Sequence, residues 1–299
     1  MSSSFEIGTE WKFFDYRMDV DLTFYKTNTK NQLFSLPSSA GAAYKYYFGN
    51  AGNIQNMGVE LTFGAVPILT NQFKWNTTLN FSRNKNEVKK LHDDLASFIQ
   101  GDEGFSSSYT MRLVEGGSFG DIYGKAFERD KYGAIVYGRD GLPQEIGSGN
   151  TAKVGNCNPA FLLGWGNSFT YKDFSFYFLI DGHFGGDVLA QTQAVLDQTG
   201  VSKVSGEART MGYVDLEGHH IYNIKGFYEQ VGGRNGVTEY YMYDATNIRL
   251  RELSLGYTLP KRLLGRKQFL KKAELSFVAR NLFFIYKKAP FDPDAVLSA

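Results

Sequence analysis

The sequence has 299 residues, and its 32 Lys and Arg against 31 Asp and Glu leave a net charge of +1, which excludes a strongly basic nucleic-acid binder and an acidic tail. A single cysteine, Cys157, rules out an intramolecular disulfide scaffold and a Cys-based zinc site. No stretch approaches the roughly 20 apolar residues of a membrane-spanning helix, while 25 Phe, 19 Tyr and 33 Gly lean towards β-structure.

The mean hydropathy of −0.31 excludes helical membrane proteins only, because a barrel strand needs just about 9 to 11 residues with alternate ones apolar. Met1 to Glu6 shows no basic stretch leading into an apolar core, so the chain is expected to carry no signal peptide of its own.

Period 2 runs through the chain. Phe5, Ile7, Trp11 and Phe13 alternate with Glu6, Gly8, Glu10 and Lys12, which predicts a strand. After Asp15 and Tyr16 the parity changes to Met18, Val20, Leu22 and Phe24, and this predicts its hairpin partner. A second hairpin is predicted from Met57, Val59, Leu61 and Phe63, across Pro67 to Asn71, into Phe73, Trp75, Leu79 and Phe81. Phe161 to Tyr171 and Phe174 to Ile180 form the third. The last runs from Asn247 to Leu259 and returns through Ala273 to Phe283. Ile248 and Leu250 are out of phase with Leu253 and Leu255 there, which predicts a bulge near Arg251 and Glu252 or a membrane boundary.

Turns within hairpins are short, whereas the links between them are long: 27 to 53, 84 to 158 and 185 to 245. Strict alternation of short and long connections is the mark of an up-and-down outer-membrane barrel, with tight periplasmic turns and long external loops. Phe13, Phe14 and Tyr16, Tyr171 and Phe174, and Phe283, Phe284 and Tyr286 gather at strand ends like interfacial girdles. The polar faces then line a lumen, with Arg17, Asp19, Asp21, Glu60, Lys74, Asn76, Asn80, Lys272, Glu274 and Arg280 as candidates. Periodicity alone fits a twisted soluble sheet with one wet face equally well.

Ordered motifs add a resemblance. Asn53 to Leu61, Trp75 to Val88, the Gly155-Asn156-Cys157-Asn158-Pro159 segment, Tyr243 to Tyr257, Ala279-Arg280-Asn281-Leu282 and Phe291-Asp292-Pro293-Asp294 are similar to landmarks of the SusC/RagA family of TonB-linked (TonB-dependent) outer-membrane transporters of the Bacteroidota. Asp294 stands where the family usually has Glu. The resemblance spans about Phe5 to Asp294 and implies an all-β chain, a partial transmembrane antiparallel barrel with about 8 to 10 of the family's roughly 22 strands. Residues 84 to 158 have room for two further strands around Met111 to Val136.

The resemblance also implies that residues 1–299 are the C-terminal part of the barrel. The plug, the N-terminal domain and the final strand lie outside them, and two sheet edges are left open. Uptake of an oligosaccharide or peptide, a SusD-like surface lipoprotein as lid, and TonB acting through the missing N-terminal part are likewise implied. The rival class is a soluble secreted β-sandwich or jelly roll that binds or hydrolyses carbohydrate. A passive porin is a third reading.

Chemistry is sparse. Gly147 to Ala152 has the spacing of a nucleotide loop but no strand before it or helical period after it. His219 and His220 lack a His-x-x-x-His partner, so no metal site is expected. Asp93-Asp94 and Asp102-Glu103 read as solvated loop acids. No catalytic residue and no cofactor are expected. The candidate binding residues are loop aromatics: Tyr44, Tyr46, Tyr47 and Phe48, then Tyr240, Tyr241 and Tyr243, each an apolar ring, most with a polar tip.

Overall fold

The computed structural model describes residues 1–37, 43, 46–91, 97–103, 108–147, 151–260 and 272–294. In chain order the strands β1 (Ser2–Phe13), β2 (Met18–Pro37), β3 (Tyr46–Leu69) and β4 (Phe73–Lys90) lead into an insertion. It carries β5 (Ser97–Glu103), β6 (Tyr109–Val114), β7 (Asp121–Gly124) and β8 (Ala152–Asn156). The hairpin β9 (Phe161–Tyr171) and β10 (Phe174–Phe184) follows. A second insertion holds β11 (Asp187–Leu189), α1 (Gln191–Gln198), α2 (Lys203–Met211), β12 (Val214–Leu216), β13 (His219–Ile221), α3 (Ile224–Val231) and β14 (Met242–Asp244). The hairpin β15 (Asn247–Thr258) and β16 (Glu274–Lys287) completes the order.

Eight strands make one antiparallel wall, ordered β1-β2-β3-β4-β9-β10-β15-β16, with β1 and β16 at its edges. The register puts the apolar half of each strand on one face: Trp11 opposite Val20, Val20 opposite Phe63, Phe63 opposite Leu79, Leu79 opposite Trp165 and Trp165 opposite Ile180. Two polar residues on this face, Thr77 and Asn167, each accept a Trp N–H at 3.0 Å, from Trp165 and Trp75 respectively. Their oxygens are thereby hydrogen-bonded on an otherwise apolar surface.

The predicted bulge is present. Pairing slips between Leu250 and Glu252, leaving Arg251 without a ladder partner. The slip also turns Phe284, expected in a girdle, to face Arg249, whose guanidinium lies 4.1 Å from the ring centroid.

Two expectations are corrected. Residues 27–37 and 46–53 are strand and not loop, because β2 and β3 stay paired out to Pro37 opposite Tyr46. The alternation fades beyond Thr27 because a ladder with water on both faces has no reason to sort its side chains. The strands found within 84 to 158 do not enlarge the wall. β9 pairs directly with β4 from Ser82 to Phe73, so no wall edge is free there, and β5 to β8 form their own four-stranded sheet.

The main hydrophobic core lies in the insertions, not under the wall. Phe227, Val231 and Val237 are fully buried together with Tyr241, Ile221 and Ala194, and Phe127 and Ile135 of the first insertion join them. α3 contributes Ile224, Phe227, Tyr228 and Val231 along one side, and its N-cap Asn223 accepts the Gly226 N–H at 3.0 Å. The two insertions therefore form one cap.

Polar cross-links reinforce the cap. Arg129 donates to Glu217 at 2.8 and 3.0 Å and to Glu239 at 2.8 Å, while Glu239 accepts the Phe127 backbone N–H at 2.8 Å. The Arg129 hydrogen bond holds the Glu217 carboxyl below the usual carboxylate range. A lowered folded-state pKa stabilises above the unfolded value near 4.3 and is lost as pH falls through the folded one. Cap resistance to protease is therefore expected to be full at pH 7 and to weaken below about pH 4. Glu217→Gln should blunt that dependence, as limited proteolysis across pH would show.

Candidate functional site

The polar face of the wall carries a continuous row. Asp21 stands opposite Thr62, Thr62 opposite Asn80, Asn80 opposite Gly164, Gly164 opposite Asp181 and Asp181 opposite Arg249. Glu60, Ser82, Leu162 and His183 form the next row. Thr62, Asn80, Gly164 and Asp181 of the first row, the whole second row, Arg251 and Asp294 contribute to the lining of a hollow of about 540 Å³. Thr62 donates to Asn80 at 3.1 Å, so neighbouring strands are tied by hydroxyl and amide groups within it.

An ion-pair hub closes one side. Arg249, only 5% exposed, reaches Asp292 at 2.6 Å and Asp294 at 3.3 Å. Arg251 pairs with Asp181 and, at 3.3 Å, with Asp294, and donates to Asn281 at 2.9 Å. The segment after β16 is thereby strapped across the polar face. The two motif blocks around Arg249 and Asp292 meet here.

Most of the predicted lumen residues fall on this face. Asp19, opposite Gly64, and Asp21, Glu60 and Asn80 share it, as do Lys74 opposite Thr170 and Asn76 opposite Ser168. Glu274 faces Thr258 and bonds Lys272 at 2.8 Å; Arg280 pairs with Glu252 at 2.9 Å. Arg17 is a correction: it lies in the β1–β2 turn and donates to the carbonyls of Val66 and Pro67 at 2.9 Å. The β3–β4 register shifts between Ala65 and Ile68, which frees those carbonyls for a long side chain to reach.

The aromatic candidates behave differently. Tyr241 is 1% exposed in the cap core and donates to Asp197 at 3.1 Å. Tyr240 packs edge-on against Phe227, and Tyr243 donates to Gln193 at 3.0 Å. Burial pushes the phenol pKa values of all three upward. Tyr241 is part of the cap core, and Tyr240 and Tyr243 pack part-buried against it, because folding two insertions into one core takes up apolar surface. Tyr46, Tyr47 and Phe48 open β3 opposite Pro37, Leu36 and Ser35; Tyr44 lies outside the described residues. Asp93 and Asp94 also lie outside them.

The Gly155 to Pro159 motif has a structural explanation. Asn156 donates to Asp121 at 2.6 Å, and Asn158 donates to Ser118 at 3.0 Å and to Asn156 at 2.7 Å. These bonds fix β8 against β7 where the cap meets the wall. Among the described residues no group of His, Cys, Asp and Glu could hold a metal.

The wall's apolar face decides the setting. Phe5, Ile7, Leu275 and Phe277 are 60 to 73% exposed on it, while the same chain buries Phe227 completely. A surface of that extent needs a non-aqueous neighbour.

No protein-family model matches the chain. TonB-dependent receptor P3 of Formosa agariphila is 26% identical across 98% of this chain and 30% of its own length. TonB-dependent receptor SusC of Bacteroides thetaiotaomicron is 22% identical across 98% and 29%. The RagAB peptide importer in its closed-closed state shares the fold, with a TM-score of 0.73 at 16% identity over 99% of this chain and 33% of that one.

Along nearly its whole length the chain is similar to TonB-dependent receptors, and it shares the fold of a part of the RagAB importer. It spans about a third of the length of the relatives it matches. Its place is the outer membrane. The relatives are receptors and transporters, not enzymes.

Parity now has an energetic meaning. Leu61 lies on the apolar face of the wall and Thr62 on the polar one. Leu61→Arg is expected to cost about 2 to 4 kcal/mol near mid-bilayer, against about 0.5 kcal/mol for Thr62→Arg. Urea unfolding of the receptor in lipid vesicles measures both, and equal costs would contradict the assignment of faces.

Proposed function

We propose that this chain is the C-terminal part of the barrel of an importer that takes up a bulky nutrient, an oligosaccharide or a peptide. The plug, N-terminal domain and final strand belong to the rest of that protein. In this reading the segment contributes barrel wall, lumen lining and a folded external mouth. The observation that carries it is the pairing of a lipid-ready apolar wall with a polar face of Thr, Asn and charged side chains beneath a rigid cap. A passive pore has less need of so large a structured mouth.

The cap offers a landing surface for a SusD-like surface lipoprotein, and TonB would act through the upstream part. Likeness to SusC and to RagAB supports both partners. Deleting the gene and following uptake of fluorescent oligosaccharide and peptide pools tests the reading. Uptake should fall on deletion, recover on complementation, and stop when the proton-motive force is collapsed. Uptake that continues without that force would make the protein a passive porin.

A further inference from the structure

One face of the β12–β13 hairpin stands apart from the cap core. Val214, Leu216 and Ile221 are 5, 7 and 2% exposed and anchor the hairpin inward. The opposite parity presents Tyr213, Asp215, His220 and Tyr222 outward, with Asp215 directly across from His220. Tyr213 and His220 stack at 4.0 Å with 22° between planes, and Tyr222 meets Tyr213 edge-on at 6.4 Å. Tyr222 is nevertheless 74% exposed. Glu217 and Gly218 make the turn with φ of 52° and 85°, and the Gly218 N–H donates to Asp215 Oδ1 at 2.9 Å, which fixes the carboxylate. Its other oxygen lies 3.5 Å from His220 Nε2, and the side chain is 55% exposed.

We propose that this face is a saccharide-binding platform: the open ring of Tyr222 takes the C–H face of a neutral pyranose, Tyr213, stacked on His220, supports that ring edge-on, and Asp215 and His220 hydrogen-bond the sugar hydroxyls. The ligand class follows from shape and chemistry. Apolar peptide side chains want a concave pocket that encloses them, whereas the Tyr222 ring stands open on the hairpin. A sugar ring instead needs a flat π-face and a polar group at its edge, and both are supplied within one hairpin. The Asp215 carboxylate disfavours anionic polymers. His219 takes no part, since it stacks on Tyr137 at 3.9 Å on the other side. The platform rests on the importer reading only for its purpose, which would be to collect cargo at the mouth; the binding itself stands alone.

The complete receptor in detergent, passed over a printed array of neutral plant, algal and host oligosaccharides alongside decapeptides, tests this. The receptor should retain at least one neutral oligosaccharide in preference to the peptides. Tyr222→Ala and Tyr213→Ala should each weaken that binding about tenfold, Tyr222→Phe should keep it, and the cap should stay protease-resistant in all three. Retention of no oligosaccharide, a preference for peptides, or full binding by Tyr222→Ala would overturn the platform. Binding that is retained while cellular uptake fails would defeat the importer and leave the platform standing.

Discussion

Replacing Asp292 and Asp294 together by Ala is expected to destabilise the barrel by about 3 to 5 kcal/mol, the cost of stranding a buried charge. Arg249 is 5% exposed and its pairing partners are these two carboxylates, at 2.6 and 3.3 Å. Its guanidinium also lies on the Phe284 ring, which cannot replace an anion. Arg251 loses less, because Asp181 remains its partner. Adding Arg249→Met to the double variant removes the stranded charge and should recover most of the loss. Urea unfolding in lipid vesicles reads the series. A double variant as stable as the parent would mean that the strap across the lumen carries no load.

Phe227→Ala is expected to cost the cap about 3 to 5 kcal/mol. The ring is fully buried, packs edge-on against Tyr228 and Tyr240, and sits where α3 meets the residues contributed by the first insertion. The cap should become protease-sensitive while the wall keeps its heat-modifiable mobility on gels, because Phe227 lies in the cap core and not in the small cluster of Ile54, Val88, Leu91 and Leu113 where the wall meets the first insertion. Loss of both together would contradict the division into wall and cap. Tyr241→Phe is a milder probe: it removes the hydrogen bond that Tyr241 donates to the buried Asp197 side chain.

Wall strands were legible because two different solvents sort their side chains. Wherever lipid meets one face and water the other, period 2 is strict, as from Phe5 to Phe13 and from Met57 to Phe63. Beyond Thr27 that sorting ends, and the continuing β2–β3 ladder reads as a loop. The cap was less legible for a different reason. α1 has no side-chain N-cap and few apolar residues, so its helix depends on tertiary packing. α3 did carry a signal in Asn223 followed by Ile224, Phe227, Tyr228 and Val231, with Gly232 after them.

Binding residues were harder still. Tyr241 and Tyr222 are the same residue type a few turns apart, one 1% and the other 74% exposed. Nothing local separates them, because exposure is decided by which insertion packs over which. The motif blocks around Arg249 and Asp292 were readable as landmarks, but the ion pair that joins them crosses 43 residues of chain and appears only in the fold.

Spin labels placed one at a time from Val59 to Phe63 of β3, with Cys157 replaced by Ala and the complete receptor in bilayers, test the central claim most directly. Collision with dissolved oxygen should peak at Val59, Leu61 and Phe63, and collision with a water-soluble nickel chelate at Glu60 and Thr62. Chelate access at Leu61 equal to that at Thr62, or no alternation at all, would show that this wall does not divide lipid from lumen.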